Sequence, residues 1–224
     1  MQKTVKIATF NIQHAMQGEE KIAAVLRGLD ADAVGVQEVD FCNSRSGGRD
    51  QPALLSDMAG MPHYRFTPAV DFRGGAYGTL ILSKHPIVEY ETIPLPSDNH
   101  EPRAVGHAVL DIDGERVDFF NTHLSYESGA LRARQFGALA ALIKPCRRYI
   151  VTGDFNVDDL EEFAPLGAPL VINRKERVIG SFIESDAPID NILFSAGFTE
   201  IGAGRLNVAC SDHYPVFATV AAEA

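Results

Sequence analysis

Short apolar runs that end in a polar side chain recur along the chain, and they predict most of its strands. Residues 5–10 and 33–36 have the length and the β-branched content of buried strands. Residues 18–29, between them, place their apolar side chains at helical spacing. We therefore predict a strand, a helix and a second strand, joined by a right-handed crossover or by a close mixed-sheet relative of it.

The later part of the chain combines hairpin signals with further helical spacing. Residues 105–112 and 116–121 are strand-like and flank Asp113-Gly114, a two-residue turn typical of hairpins. Further strands are predicted at residues 77–83, around Ile150 and Val151, at 188–194 and at 214–220, and a helix at 128–143. A short helix after an Asp50 N-cap should turn Leu54, Leu55 and Met58 inward. Residues 41–75, outside this helix, and 161–180 are predicted to be irregular.

This mixture of hairpins and crossovers predicts an α/β (α+β) fold with two packed mixed β-sheets and helices outside them. The 224 residues are within the range of one large domain, which we expect to span residues 1–224. Hydrophobic residues make up 46% of the chain, enough for a sizeable core.

Composition narrows the range of partners and compartments. With 20 basic and 30 acidic residues the net charge is −10, which disfavours binding to long duplex DNA. Cys42, Cys146 and Cys210 form no Cys-x-x-Cys pair, so a structural zinc site is not expected and a reducing compartment is favoured. The sequence shows no apolar signal segment before the first strand and no run long enough to span a bilayer. We expect a soluble, cytoplasmic monomer.

The segment Gly153-Asp154-Phe155-Asn156 follows a predicted strand and allows two interpretations. Asp and Asn close to a glycine often bond only their own backbone in a turn. In an extended segment, however, Asp154 and Asn156 point the same way and could bind a ligand together. A calcium loop is excluded, because its sixth position would be Asp159 and its twelfth Pro165, where glycine and glutamate are needed.

Eight polar residues lie at or beside the ends of predicted strands, and all are Asn, Asp, Glu or His. They are Asn11, Glu38, His123, Asp154, Asn156, Asp190, Asp212 and His213. A single histidine such as His123 is more often a structural residue, but eight residues of these types predict one polar cleft. Asp190, embedded in a strand, needs a buried partner.

The basic side chains outside this set have two interpretations. Arg45 and Arg49, in a Gly-rich loop, predict either a solvated loop or a mobile loop that grips phosphate. The basic run at residues 174–177 is interpreted as a solvated surface, and Arg132 and Arg134 as the exposed side of their helix.

Six short segments occur in one order from residue 9 to residue 216. They are Thr9-Phe10-Asn11-Ile12, Gln37-Glu38-Val39, Asn121-Thr122-His123-Leu124, Gly153-Asp154-Phe155-Asn156, Ile189-Asp190-Asn191-Ile192-Leu193 and Ser211-Asp212-His213-Tyr214-Pro215-Val216. Together they resemble the endonuclease/exonuclease/phosphatase superfamily, which includes DNase I, abasic-site endonucleases, inositol polyphosphate 5-phosphatases and neutral sphingomyelinases. The resemblance implies a DNase I-like four-layer α-β-β-α sandwich. It also implies hydrolysis of a phosphate ester with Mg²⁺ or Mn²⁺, by in-line attack of water.

The same resemblance assigns roles to the residues of the cleft. Glu38 is the implied main metal ligand, with Asn11 and Asp212 near it. Mg²⁺ prefers such oxygen ligands and retains waters, so few protein ligands are required. Asp154 is implied to accept a proton from the attacking water, and Asn156 to orient that water or the phosphate.

The two histidines and one arginine are implied to act on the phosphate. His213 would bind or protonate a phosphate oxygen, and Asp190 would hold its imidazole in position. His123 would donate a hydrogen bond to the phosphate. Arg103, in Glu101-Pro102-Arg103-Ala104, matches an arginine that binds anionic substrate in many relatives.

Differences between subfamilies favour a small substrate. The chain has no Trp, whereas abasic-site endonucleases carry tryptophans in several motifs. Residues 74–83 and Arg103-Ala104 resemble compact bacterial metal-dependent hydrolases, whose substrates vary. We expect a small soluble phosphodiester or phosphomonoester. The alternatives are a nuclease that contacts nucleic acid through Arg45, Arg49, Arg73 and Arg103, and a non-catalytic module that binds phosphate or metal.

Overall fold

The computed structural model describes residues 4–167 and 169–222. Its strands are β1 (Thr4–Asn11), β2 (Ala33–Phe41), β3 (His63–Phe72), β4 (Gly75–Ser83), β5 (Ile87–Pro94), β6 (Ala104–Ile112), β7 (Glu115–His123), β8 (Tyr149–Asp154), β9 (Leu170–Val171), β10 (Asp190–Phe194), β11 (Phe198–Arg205) and β12 (Val216–Ala222). Its α-helices are α1 (Glu19–Leu29), α2 (Gln51–Ala59) and α3 (Gly129–Ile143). None of the helices in the described part is long and apolar enough to cross a membrane.

The strands form two mixed six-stranded sheets. The first has the order β11-β12-β1-β2-β4-β3 and the second the order β5-β6-β7-β8-β10-β9. Each sheet contains one parallel pair whose connection includes a helix, β1 with β2 through α1 and β7 with β8 through α3. The predicted architecture of two mixed sheets is confirmed.

Alternate residues of the strands point to the two faces of each sheet, which produces the layers. Ile7 of β1 is buried between the sheets, whereas Phe10 packs under α1 and α2. In the second sheet Phe119 faces the first sheet and Phe120 packs against Phe136 of α3. The order of layers is therefore helix, sheet, sheet, helix, as the four-layer prediction required.

The strands that the sequence pattern missed are all at sheet edges. The outermost strands of the two sheets are β3, β5, β9 and β11. Of these, β3 and β9 lie in stretches that were predicted to be irregular. Edge strands have one unpaired side and need no continuous apolar run. β3 contains Pro68 beside a register shift, and β11 contains two glycines, both of which weaken a strand signal.

Several predictions of exposure were wrong, and for the arginines the reason is pairing with carboxylates. Arg174 and Arg177 are not simply solvated, since both contact the mostly buried Glu200. The hydrogen bond from Arg177 is the main reason why the pKa of Glu200 is lowered to about 2. Arg132 is not on an exposed side either, because it forms two hydrogen bonds to Glu162. In α2, Leu54 is 37% exposed rather than turned inward.

A buried hydrogen-bonded network joins the two sheets beneath their polar strand ends. Gln37 Nε2 of the first sheet donates to Asn121 Oδ1 of the second at 2.7 Å and to Thr9 Oγ1 at 3.0 Å. Thr152 Oγ1 donates to the same Asn121 oxygen at 3.1 Å. Asn121 Nδ2 donates back to two carbonyls of the first sheet, those of Val36 and Leu80. We call Thr9, Gln37, Asn121 and Thr152 the inter-sheet network; all four are fully buried.

Gly35 allows the sheets to approach at this network, and adding one methyl group should separate them. A Cβ atom at Gly35 would lie 2.1 Å from Thr152 Oγ1 and 2.4 Å from Asn121 Oδ1. We expect Gly35→Ala to lower the free energy of unfolding by about 2 kcal/mol or more, from overpacking and from broken buried hydrogen bonds. Urea unfolding measures this change.

Gly28→Ala is the matched control, because a Cβ atom added at this position on α1 would meet nothing within 4 Å. This substitution should be neutral or stabilise the protein by up to ~1 kcal/mol, since alanine is the better helix residue. Equal unfolding midpoints for Gly35→Ala and the wild type would contradict the proposed steric role of Gly35.

Candidate active site

The ends of strands from both sheets meet at one cleft of about 640 Å³. Glu38 from the first sheet lines it, and so do His123 and Asp154 from the second. Arg103, Asn156, Asp212 and His213 complete the predicted residues in its wall. Asn11 and Asp190 are buried immediately behind it, each hydrogen-bonded to a residue of the wall. The structure therefore brings all nine predicted site residues together.

Two of these side chains depend on local left-handed backbone. Glu38 has φ 59° and lies at a register shift in the pairing of β2 with β4. Such an irregularity redirects a side chain, and here Glu38 faces the cleft. Asn156 has φ 53°, so the segment after Asp154 is not extended as one interpretation assumed. The Asn156 N–H donates to Asp154 Oδ1, and the turn and the site are therefore the same feature.

A row of three buried residues, Asp190, His213 and Asp154, crosses the floor of the cleft. His213 Nδ1 is 2.6 Å from Asp190 Oδ2, and His213 Nε2 is 3.8 Å from Asp154 Oδ2. Burial alone would lower the pKa of His213, but the charge and the hydrogen bond of Asp190 raise it to about 10. The contact with Asp190 therefore favours the protonated form of His213 at neutral pH. The predicted buried partner of Asp190 is His213.

Asp154 is the shared neighbour of the other side chains. Its Oδ2 accepts a hydrogen bond from Asn11 Nδ2 at 3.0 Å and lies 3.5 Å from His123 Nε2. Burial first, and the charge of Asp190 second, raise the pKa of Asp154 to about 7. A carboxylate with that pKa takes up and releases a proton readily near neutral pH.

His123 has a different electrostatic environment from His213. Its ring is buried, and its Nδ1 is 3.2 Å from Nη1 of Arg103. Burial, and then the positive charge of Arg103, lower the pKa of His123 well below its usual range. The two histidines close to Asp154 therefore have opposite tendencies: the surroundings of His213 raise its pKa, and those of His123 lower its pKa.

The sequence analysis missed two residues that contact the carboxylates of Glu38 and Asp212. Gln13 Nε2 donates to Asp212 Oδ2 at 3.0 Å, and His14 Nε2 is 3.2 Å from Glu38 Oε2. Both belong to a turn in which Gln13, His14 and Ala15 have φ between 46° and 56°. Three consecutive left-handed residues are costly and have no sequence signature outside glycine. The only available signal was their position just after Asn11.

Glu38 and Asp212 present to the cleft the carboxylate oxygens that a hard divalent cation prefers. Both carboxylates are partly exposed on the cleft, and Asn11 Nδ2 donates to Glu38 Oε1 at 3.1 Å. Carboxylate and amide oxygens are the donors that Mg²⁺ and Mn²⁺ prefer. Asp154, Asp190 and His213 lie close enough to hold an ion together. In that group, however, the 2.6 Å contact between Asp190 and His213 favours a shared proton.

The outer wall of the cleft contains an arginine stacked on aromatic rings. The guanidinium of Arg45 lies 4.5 Å from the ring centroid of Phe72 and 5.0 Å from that of Tyr77. It also donates two hydrogen bonds to the buried Asp40. Arg49 contacts Glu19. Both arginines are therefore held by carboxylates, and for Arg45 the interpretation as a solvated loop was wrong.

A model of the Endonuclease/Exonuclease/phosphatase family matches residues 8–213, which includes all nine site residues. The chain belongs to this family. Members of the family are hydrolases and include phosphatases and phosphodiesterases. Family membership and the two sheets together confirm the resemblance found in the six sequence segments.

One curated relative and several solved structures are similar to this chain. Protein cwh43 of Schizosaccharomyces pombe is 31% identical over 149 residues, and the match covers 66% of this chain and 15% of that protein. An endonuclease/exonuclease/phosphatase from Beutenbergia cavernae has a TM-score of 0.84 at 21% identity, covering 99% of this chain and 72% of that one. A mannosyl-6-phosphatase from Bacteroides thetaiotaomicron has a TM-score of 0.76 at 20% identity, covering 96% and 99%. At these identities the solved structures show the fold.

The contact between Asp190 and His213 yields a test by pH. Asp190→Asn should lower the pKa of His213 below about 10, because burial of the ring then acts without its carboxylate partner. The raised pKa stabilises the wild type fully below about pH 6.5, and this stabilisation is lost as the pH rises through about 10. The difference in free energy of unfolding between the wild type and Asp190→Asn should therefore become smaller as the pH rises from about 6.5 to about 10. NMR titration and urea unfolding measure the two effects.

Asp118→Asn is the control, since Asp118 forms a 2.7 Å contact with His107 on a half-exposed surface. It should leave the pKa of His213 unchanged. If Asp190→Asn also left that pKa near about 10, the assigned cause of the shift would be wrong.

Proposed function

We propose that this chain is a metal-dependent phosphoesterase that hydrolyses a small phosphate ester by in-line attack of water. The observation that carries the proposal is the placement of Asp154, which lies between His123 and His213 at the floor of the cleft. A proton acceptor flanked by two potential phosphate-binding groups is suited to attack on phosphorus.

Asp154 is the proposed acceptor of a proton from the attacking water. Its pKa of about 7 makes it an effective base near neutral pH. Asn11 Nδ2 and the N–H of Asn156 hold the two oxygens of its carboxylate. The Asn156 side chain, on the edge of the same cleft, is proposed to orient the water or the phosphate.

The two histidines and Arg103 are proposed to act on the phosphate. His213, held by Asp190, supplies a positive charge that binds a phosphate oxygen and can donate its Nε2 proton. Neutral His123 donates a hydrogen bond to another oxygen without adding charge. Arg103, in the wall beside His123, is proposed to favour an anionic substrate.

Glu38, Asn11 and Asp212 are proposed to hold Mg²⁺ or Mn²⁺. When bound, such an ion would neutralise negative charge on the phosphoryl and leaving oxygens. Gln13 and His14 hold the two carboxylates at the distances given above, so the side chains are ordered by protein contacts. The negative charge of Glu38, Asp154 and Asp212 at one cleft also favours a cation there.

The charges around the cleft favour a small ester over nucleic acid. Arg45 is paired with Asp40 and Arg49 with Glu19, so two of the four arginines of the nuclease alternative are held by carboxylates. The net charge of −10 opposes the approach of a long phosphate backbone. The mannosyl-6-phosphatase of Bacteroides thetaiotaomicron shows that this fold can serve a phosphatase.

Two substitutions test the proton-transfer groups. Asp154→Asn and His213→Ala should each lower the rate of ester hydrolysis by at least ~10²-fold, the usual scale for losing such a group. Steady-state rates on the best ester substrate measure the effect, with thermal unfolding to show that each variant is folded. Asp158→Asn, an exposed carboxylate on the same loop, should retain the wild-type rate. An unchanged rate in Asp154→Asn would contradict its role as the proton acceptor, whereas no turnover of any ester by the wild type would point to a non-catalytic binding module.

A panel of esters tests the reaction and its substrate class. The panel contains bis-p-nitrophenyl phosphate, p-nitrophenyl phosphate, sugar phosphates, inositol phosphates, sphingomyelin and supercoiled plasmid, each with Mg²⁺, Mn²⁺ or EDTA. We expect metal-dependent release of product from a small ester, abolished by EDTA, and no nicking of plasmid. Plasmid nicking alone, with steep loss at added salt, would instead indicate a nuclease.

A further inference from the structure

Arg103 is a buried arginine whose contacts bear on a neighbouring histidine. It lies just before β6 and is 4% exposed. Its Nη1 is 2.6 Å from Glu101 Oε1 and 3.2 Å from His123 Nδ1. Nη1 of Arg103 therefore contacts both the carboxylate of Glu101 and the ring of His123.

The chemistry of arginine decides which nitrogen of His123 carries the proton. A guanidinium has only N–H donors and no acceptor. Across the 3.2 Å contact Arg103 must donate, so His123 Nδ1 must be the unprotonated acceptor. The single proton of the neutral ring is then on Nε2. That nitrogen lies 3.5 Å from Asp154 Oδ2, at the floor of the cleft.

We propose that Arg103 is a positioning residue that holds His123 in the Nε2–H tautomer, so that a hydrogen-bond donor faces Asp154 and the bound phosphate. The part that concerns phosphate rests on the proposed function. The assignment of the tautomer rests only on the contacts of His123 with Arg103 and Asp154.

The other tautomer would create two unfavourable contacts. An Nδ1–H would point at the N–H donors of Arg103, and the Nε2 lone pair would face the oxygen of Asp154. The ring is only 6% exposed, so little water is available to relieve these contacts. A ring with an acceptor on Nε2 would also repel a phosphate oxygen, which itself offers only lone pairs unless it is protonated.

This role differs from direct binding of substrate by Arg103. Nη1 already contacts Glu101 and His123, whereas Nε is buried and has no hydrogen-bond partner in the described part of the chain. Because Nε is buried, it is not exposed to a substrate in the cleft either. Loss of a direct contact between Arg103 and the substrate would affect mainly KM. Loss of the correct tautomer of His123 would affect mainly kcat, because the donor it presents stabilises the reacting phosphate.

NMR of the wild-type protein tests the tautomer without any assay of activity. Long-range ¹H–¹⁵N correlation spectra of protein labelled at histidine distinguish protonated from unprotonated ring nitrogens, and His123→Gln assigns the signal. At about pH 7 we expect His123 to be neutral, with the proton on Nε2. An Nδ1–H tautomer or an imidazolium would overturn the proposal. This result is independent of whether any ester is hydrolysed.

Variants of Arg103 then test the cause. Arg103→Met should shift His123 toward the Nδ1–H tautomer and lower kcat by about tenfold or more, with a smaller change in KM. Arg103→Lys keeps a donor and should restore the Nε2–H tautomer. Glu101→Gln, which removes the other partner of Arg103, should leave the tautomer as in the wild type.

Two results would contradict the positioning role. An unchanged Nε2–H tautomer in folded Arg103→Met would show that Arg103 does not hold it, and a rise confined to KM would show direct binding of substrate instead. If Arg103→Met does not fold, the wild-type spectrum and Arg103→Lys decide: an Nδ1–H tautomer in folded Arg103→Lys would overturn the role.

Discussion

The hydrogen bonds between Gln37, Asn121 and Thr152 are the constraint on which the site depends, because they join the two sheets directly beneath it. The same strands continue from this network into the cleft. Side chains two positions apart on a strand point the same way, so Thr9 precedes Asn11 on one face, Asn121 precedes His123, and Thr152 precedes Asp154.

Polar groups at this depth are stable only when each finds a partner, and this condition fixes the geometry. Asn121 contacts the side chain of Gln37 and two backbone carbonyls of the opposite sheet. A shift of either sheet would break several of these bonds at once. The distances among cleft residues that belong to different sheets are therefore determined by packing and hydrogen bonding below the cleft rather than by the cleft itself.

The apolar pattern predicted the inner strands because these are covered on both faces. β1, β4 and β6 are nearly continuous runs of buried residues, which strand patterns detect. β5, with the sequence Ile-Val-Glu-Tyr-Glu-Thr-Ile-Pro, has one paired edge and a largely exposed face, so its charged residues conceal it. Strands were predicted correctly where burial on both faces requires apolar residues, and they were missed where an exposed face allows charged ones.

The site was predictable to the extent that strand ends reveal it. Polar residues that end apolar strands, such as Asn11 and His123, stand out in the sequence. Gln13 and His14 do not, because their position depends on a left-handed turn that only the tertiary contacts of the folded chain stabilise. The partners of Arg45 and Arg103 were equally hidden, since pairing between side chains has no signature in sequence spacing.

The position of β12 has a consequence for the order in which a growing chain can fold. β12 lies between β1 and β11, so the first sheet contains strands from both ends of the described chain, whereas the strands of the second come from one continuous stretch, Ile87 to Phe194. During synthesis the second sheet can form while the edge of β1 that will pair with β12 is still unpaired. Asp212 and His213 leave the ribosome just before β12, so the wall of the cleft is completed only when the first sheet is completed.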